Sequence, residues 1–151
     1  MSNEGKTVPT SITGAGSALV VDDNPMSRRQ LARALEEAGV QVTEAAEGME
    51  GLWRARQAAF DIVITDVHMP TMDGLSFLRE LRKLPRYGET PIYVLTSDCS
   101  KERLARGREL GATAWVVKPP NLPLLATTVR DAIRARRVGE AAPPPPGATA
   151  L

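Results

Sequence analysis

The stretch Asp61-Ile62-Val63-Ile64-Thr65-Asp66-Val67-His68-Met69-Pro70-Thr71-Met72-Asp73-Gly74 decides the fold. Its first five residues read as a buried strand, a short apolar run rich in β-branched side chains. The run delivers the chain to a carboxylate, Asp66. Met69-Pro70 and Asp73-Gly74 then break the strand and open a turn into a helix. A core strand that ends on an acid raises the question of what else meets that acid.

The same grammar repeats on both sides. Strands are expected at Ala18–Val21, Val40–Glu44, Ile62–Thr65, Ile92–Leu95 and Ala114–Val117. Helices are expected after each one, at about Met26–Ala38, Met49–Ala58, Gly74–Lys83, Lys101–Leu110 and Leu122–Arg137. Leu31, Ala34, Leu35 and Ala38 form an apolar stripe at helical spacing on the first helix, as Leu75, Leu78 and Leu81 do on the third. Asn24-Pro25 opens the first helix as a cap and a first-turn proline. Gly39 and Gly111 close the first and fourth helices.

Five β–α pairs imply a parallel sheet with helices on both faces. Four strands are continuous apolar runs, as doubly covered parallel strands should be. The second, Val40-Gln41-Val42-Thr43-Glu44, alternates apolar with polar and suits an edge. The expected fold is therefore α/β, a flavodoxin-like (βα)5 three-layer sandwich with sheet order 2-1-3-4-5. Ligands bind such sheets beyond the carboxyl ends of the first and third strands, where the strand order reverses.

That rim collects chemistry. The first strand leads to Asp22-Asp23, the third to Asp66, the fourth to Thr96-Ser97 and the fifth to Lys118-Pro119. Three clustered carboxylates raise one another's pKa unless a cation is present. An all-oxygen set with room for water and phosphate suits Mg2+ better than Ca2+, and the absence of paired Cys or His ligands disfavours zinc. A carboxylate can act as a nucleophile toward phosphorus. Lys118 and Thr96 are placed to hold the oxygens of an incoming phosphoryl group.

Composition narrows the classes. The chain has 151 residues, 42% hydrophobic, enough for one domain with a real core. Basic and acidic residues number 19 and 18, so bulk charge gives no reason to expect nucleic acid as a partner. The single cysteine, Cys99, excludes an internal disulfide and fits a reducing compartment. No run resembles a signal peptide or a membrane span, so a cytoplasmic location is expected. Residues 1–16 read as a flexible tail and 17–138 as the domain. Residues 139–151, with Pro143 to Pro146, read as a disordered proline-rich tail. Arg130, Arg134, Arg136 and Arg137 sit toward the end of the last helix, where cations favour the helix dipole.

Five features in order resemble the receiver domain of two-component response regulators, and most closely its stand-alone, chemotaxis-type members. They are Val20-Val21-Asp22-Asp23-Asn24, Glu44-Ala45-Ala46-Glu47-Gly48, Asp66 through Gly74, Thr96-Ser97 and Val117-Lys118-Pro119. The resemblance covers roughly Ala18 to Val138. It implies that Asp66 is the phosphoacceptor. It implies Mg2+ held by Asp23, Asp66 and the backbone carbonyl of His68, with Asp22 helping through water or by orientation. Lys118 would contact the phosphoryl group, Thr96 would be the switch hydroxyl, and Lys118–Pro119 would be a cis peptide. Trp115 stands at the position of the switch aromatic, where Tyr or Phe is usual.

The implied partners are a histidine kinase or histidine phosphotransfer protein as donor, and a downstream protein. The donor would dock on the first helix and the loop after Pro119, the downstream protein on the face formed by the fourth helix, fifth strand and fifth helix. The implied activity is a phosphorylation-operated switch, with at most self-catalysed phosphoryl transfer and autodephosphorylation. Two other readings share these residues. An aspartate-dependent phosphatase of the haloacid dehalogenase type would need a second acid two residues after the nucleophile, where His68 stands. A degenerate receiver would only bind partners.

Overall fold

The computed structural model describes residues 16–139 and 148–150. Strands and helices alternate as β1 (Ser17–Val21), α1 (Pro25–Glu37), β2 (Gln41–Ala45), α2 (Gly48–Gln57), β3 (Ile62–Asp66), α3 (Gly74–Arg82), β4 (Ile92–Thr96), α4 (Lys101–Leu110), β5 (Ala114–Val117) and α5 (Leu122–Arg137). A 3-10 turn, Pro85–Tyr87, joins α3 to β4. The first five strands are parallel in the order 2-1-3-4-5. This is the flavodoxin-like arrangement expected from the sequence.

Alternation along each strand builds two cores. Leu19, Val21, Val63, Val94 and Trp115 face one side, against Leu52 of α2 and Phe77, Leu78 and Leu81 of α3. Ala18, Val20, Ile62, Ile64, Tyr93, Leu95 and Val116 face the other, against Leu35 of α1 and Val129 and Ile133 of α5. β1, β3 and β4 are thus covered on both faces, which is why they read as continuous apolar runs. β2 is only half-buried, as an edge should be. The caps follow the sequence: Asn24, Asp73, Ser100 and Asn121 each accept a backbone N–H of the first helical turn.

One strut was not legible in the sequence. Arg82, at the end of α3, donates to the carbonyls of Gly111, Tyr87 and Thr90 at 2.6–3.0 Å. Its guanidinium satisfies carbonyls of two connections at once, α3–β4 and α4–β5, and burial pushes its pKa down.

The C-terminal segment needs a correction. Residues 139–151 are expected to be disordered, yet Ala148–Ala150 forms a further strand, β6, paired antiparallel with β5. The edge of β5 offers unpaired backbone groups, and a short uncharged segment can add to them. The other residues of that tail, 140–147 and 151, lie outside the described residues, as do residues 1–15. Among the described residues, no helix is long and apolar enough to cross a membrane.

Candidate functional site

Asp66 is the last residue of β3 and is buried, 7% exposed. Its Oδ1 accepts the N–H of Val67 at 2.9 Å and lies 3.2 Å from the Lys118 ammonium. Asp22 follows β1 and is equally buried, while Asp23 is exposed. Carboxylate oxygens of Asp22, Asp23 and Asp66 lie within 4.8 Å of one another. The strand order accounts for this: β1 and β3 are neighbours in register, so their carboxyl ends share one rim.

The electrostatics show strain that a cation would relieve. Burial pushes the Asp22 carboxyl above its ordinary range, and the charges of Asp66 and Asp23 push it further. The N–H of Asn24, 2.9 Å from its Oδ1, and the more distant Lys118 offset this in part. Three acids facing one ammonium leave a net negative, all-oxygen pocket. That donor set fits a hard divalent ion.

The turn after Asp66 is built around two constraints. Gly74 donates to the carbonyl of Val67 at 2.8 Å, folding the loop back on the strand end. A Cβ at position 74 would stand 2.0 Å from the Asp66 carbonyl oxygen, so only glycine fits. Thr71 adopts φ 68°, a left-handed conformation uncommon outside glycine.

Thr96 ends β4 and is buried; its Oγ1 accepts the N–H of Asp98 at 3.0 Å, leaving its own O–H to donate. The Lys118–Pro119 peptide is cis. A cleft of about 430 Å³ opens at this rim, lined by Asp22, Ser27, Leu95, Ser97, Lys118 and Pro119 among others. Asp22, Asp23, Asp66 and Lys118 therefore meet here. His68 is exposed beside them, and no acid occupies its position, so the proton donor of the phosphatase reading is missing. Trp115 is fully buried in the core instead of lining the cleft.

Sequence reasoning missed Arg28. Its guanidinium donates to the Asp22 carbonyl at 2.8 Å and to Glu44 at 2.9 Å, tying α1 and β2 to the loop that carries the acids. Its partner Glu44 lies on β2, but its other partner, the Asp22 carbonyl, carries no sequence signature.

The family profile described as the response regulator receiver domain matches residues 18–130. The chain belongs to the response regulator receiver domains. The receiver is 40% identical to the chemotaxis protein CheY4 of Vibrio cholerae, with a TM-score of 0.73 over 76% of this chain and 95% of that one. It is 36% identical to a gliding motility regulatory protein of Myxococcus xanthus and 32% to the sensor histidine kinase CheAY of Helicobacter pylori, over 66% and 77% of this chain. It spans only 13% and 15% of the lengths of those two relatives. This is a CheY-like receiver of two-component signalling, a class of signalling switches and not of classical enzymes. Receivers of this family bind Mg2+ at an acidic pocket, and in this chain carboxylates of Asp22, Asp23 and Asp66 cluster at the rim.

Proposed function

We propose that this receiver accepts a phosphoryl group on Asp66 from a phosphohistidine and thereby switches a protein-binding surface. The observation that carries the reading is the meeting of three carboxylates within 4.8 Å with an ammonium 3.2 Å from one of them. Oδ1 of Asp66 is held by Val67 and Lys118. Oδ2 has no hydrogen bond among the described residues and is the oxygen that attacks phosphorus. The new O–P bond forms as the P–N bond to the donor imidazole breaks. Lys118 and the Thr96 hydroxyl hold phosphoryl oxygens as charge builds on them.

Asp23, Asp66 and the His68 carbonyl would hold Mg2+, with Asp22 helping through water or by orientation; when bound, the ion would neutralise charge on the transferring group. A modified Asp66 adds charge and acceptor oxygens beside Thr96 and Lys118. The bias passes to α4, β5 and α5, the surface assigned to a downstream protein. The donor, a histidine kinase or phosphotransfer protein in the cytoplasm, docks beside the cleft. A groove of about 600 Å³ between α1 and α5, lined by Ala34, Ala38, Leu122, Pro123 and Ala126, continues from the rim and supports that placement.

The test is phosphoryl transfer from a phosphorylated histidine protein in the presence of magnesium. Label is expected on the parent chain and absent from Asp66→Asn. Equal, stable label on the variant sinks the assignment.

A further inference from the structure

The loop that carries Asp22 and Asp23 is held from β2, a strand that contributes nothing to the lining of the cleft. The N–H of Asp22 donates to the carbonyl of Ala45, the last residue of β2, at 3.1 Å. The carbonyl of Asp22 accepts from Nη1 of Arg28 at 2.8 Å, and Nε of Arg28 donates to Glu44 of β2 at 2.9 Å. Both backbone polar groups of Asp22 are therefore fixed to the end of β2, one directly and one through a guanidinium. Arg28 itself stands on α1, where its N–H donates to the carbonyl of Asn24 at 3.0 Å. The segment is thus tied at Asp22 and at Asn24, and Asp23, with its exposed side chain, lies between the ties.

The pair differs from an ordinary surface salt bridge in two ways. The side chains of Arg28 and Glu44 are only 18% and 24% exposed, so water screens them less than it screens a fully exposed pair. The guanidinium also meets the backbone of Asp22 and not its carboxylate. The charges that act on the Asp22 carboxyl are those of Asp66, Lys118 and Asp23, and Arg28 is not among them. A free cation beside three acids competes with a metal ion for their oxygens. Glu44 neutralises Arg28, which fixes the loop and leaves the carboxylates to the ion. The task needs the guanidinium fork, because one nitrogen turns toward the loop while another turns toward β2.

We infer that Arg28 is a positioning residue for the Mg2+ site, and that Glu44 acts on that site through Arg28. The inference rests on the metal assignment proposed above and on no step of phosphoryl transfer. The sign of the effect separates positioning from charge. By Coulomb's law alone, removing a cation close to three acids strengthens the binding of a divalent ion. Removing a contact that orients the ligand loop weakens it.

The experiment measures Mg2+ affinity by calorimetry on the full chain without phosphoryl donor, with urea unfolding in EDTA to show that each variant is folded. Arg28→Ala is expected to bind Mg2+ roughly 10–100-fold more weakly than the parent, as when an outer partner of a metal site is lost. Arg28→Lys keeps the charge but has one nitrogen and cannot span both partners; it is expected to weaken binding nearly as much, at less risk to the fold. Arg29→Ala removes a guanidinium that also meets Glu44 but not the Asp22 carbonyl, and is expected to leave the affinity unchanged. Glu44→Ala is expected to weaken binding in the parent and to add nothing in an Arg28→Ala background. Equal or tighter binding by folded Arg28→Ala and Arg28→Lys overturns the inference. Additive losses in the double variant overturn the part assigned to Glu44. A parent chain that binds no Mg2+ overturns the metal assignment and this inference with it, whereas a chain that shows these affinities and takes no label fails the phosphoryl reading alone.

Discussion

The ammonium of Lys118 lies 3.2 Å from Oδ1 of Asp66, the oxygen that also accepts the Val67 N–H. The pair joins the carboxyl ends of two strands that are not neighbours, since β4 runs between β3 and β5. Only Asp66 is well buried; Lys118 is 30% exposed. The contact therefore orients one carboxylate oxygen more than it stabilises the fold. Removing the ammonium should spare folding and damage chemistry. Lys118→Ala is expected to slow labelling of Asp66 by roughly 10²–10³-fold, the usual effect of losing one donor to a transition-state oxygen. Initial rates with a phosphohistidine donor at saturating magnesium check this, and an unchanged rate contradicts it.

Asp22 sets up an opposition between stability and metal binding. Burial, then the charges of Asp66 and Asp23, raise its pKa above the ordinary 3.8. The native state thus holds this proton more tightly than the unfolded chain does. The resulting stability is full below the unfolded value and is lost as pH rises through the folded one. Ionising Asp22 in the metal-free protein therefore costs stability. Asp22→Asn is expected to unfold at higher denaturant concentration than the parent at pH 7 in EDTA, with the gain shrinking toward pH 3. The same variant is expected to bind Mg2+ roughly 10–100-fold more weakly, as when an outer partner of a metal site is lost. A parent chain no less stable than the variant at pH 7 would remove the argument.

The rim was legible because its logic is written in strand ends. β1, β3 and β4 are buried on both faces, so their runs are mostly apolar, and the acids and hydroxyl at their carboxyl ends stand out. Asp66 and Thr96 close their strands in the structure, one residue beyond the expected ends. Arg82 and Arg28 were not legible. Both act on backbone carbonyls brought close by the fold, and a carbonyl carries no sequence signature. β6 was missed for a related reason. A three-residue strand has no periodicity of its own, and its pairing depends on the bare edge it meets.

Gly74 is a steric requirement of the loop that presents Asp66. A methyl group there would press on the Asp66 carbonyl oxygen, which is backbone and cannot rotate away. Gly74→Ala is expected to cost about 1–3 kcal/mol, the range for overpacking, and to sit at its upper end. Because the displaced atom belongs to Asp66, labelling should fall more than the loss of folded protein accounts for. Chemical denaturation paired with labelling per folded molecule separates the two. A variant as stable and as fast as the parent would show that the loop shifts freely.

Trp115 brings a buried indole to the position where a switch aromatic was expected. It is fully buried, and its Nε1 has no hydrogen-bond partner among the described residues. An unsatisfied buried donor costs about 1–3 kcal/mol. Trp115→Phe removes that donor along with part of the ring, and the lost packing costs a similar amount. The two changes oppose each other, so Trp115→Phe is expected to match the parent within about 1 kcal/mol, whereas Trp115→Ala is expected to lose about 3–5 kcal/mol. Labelling of Asp66 should persist in Trp115→Phe, since the side chain lies in the core and not in the cleft. Denaturation of the three chains decides the point. If Trp115→Phe loses nearly as much as Trp115→Ala, the indole N–H has a partner in solution, and the polar atom, not the ring, holds this strand in place.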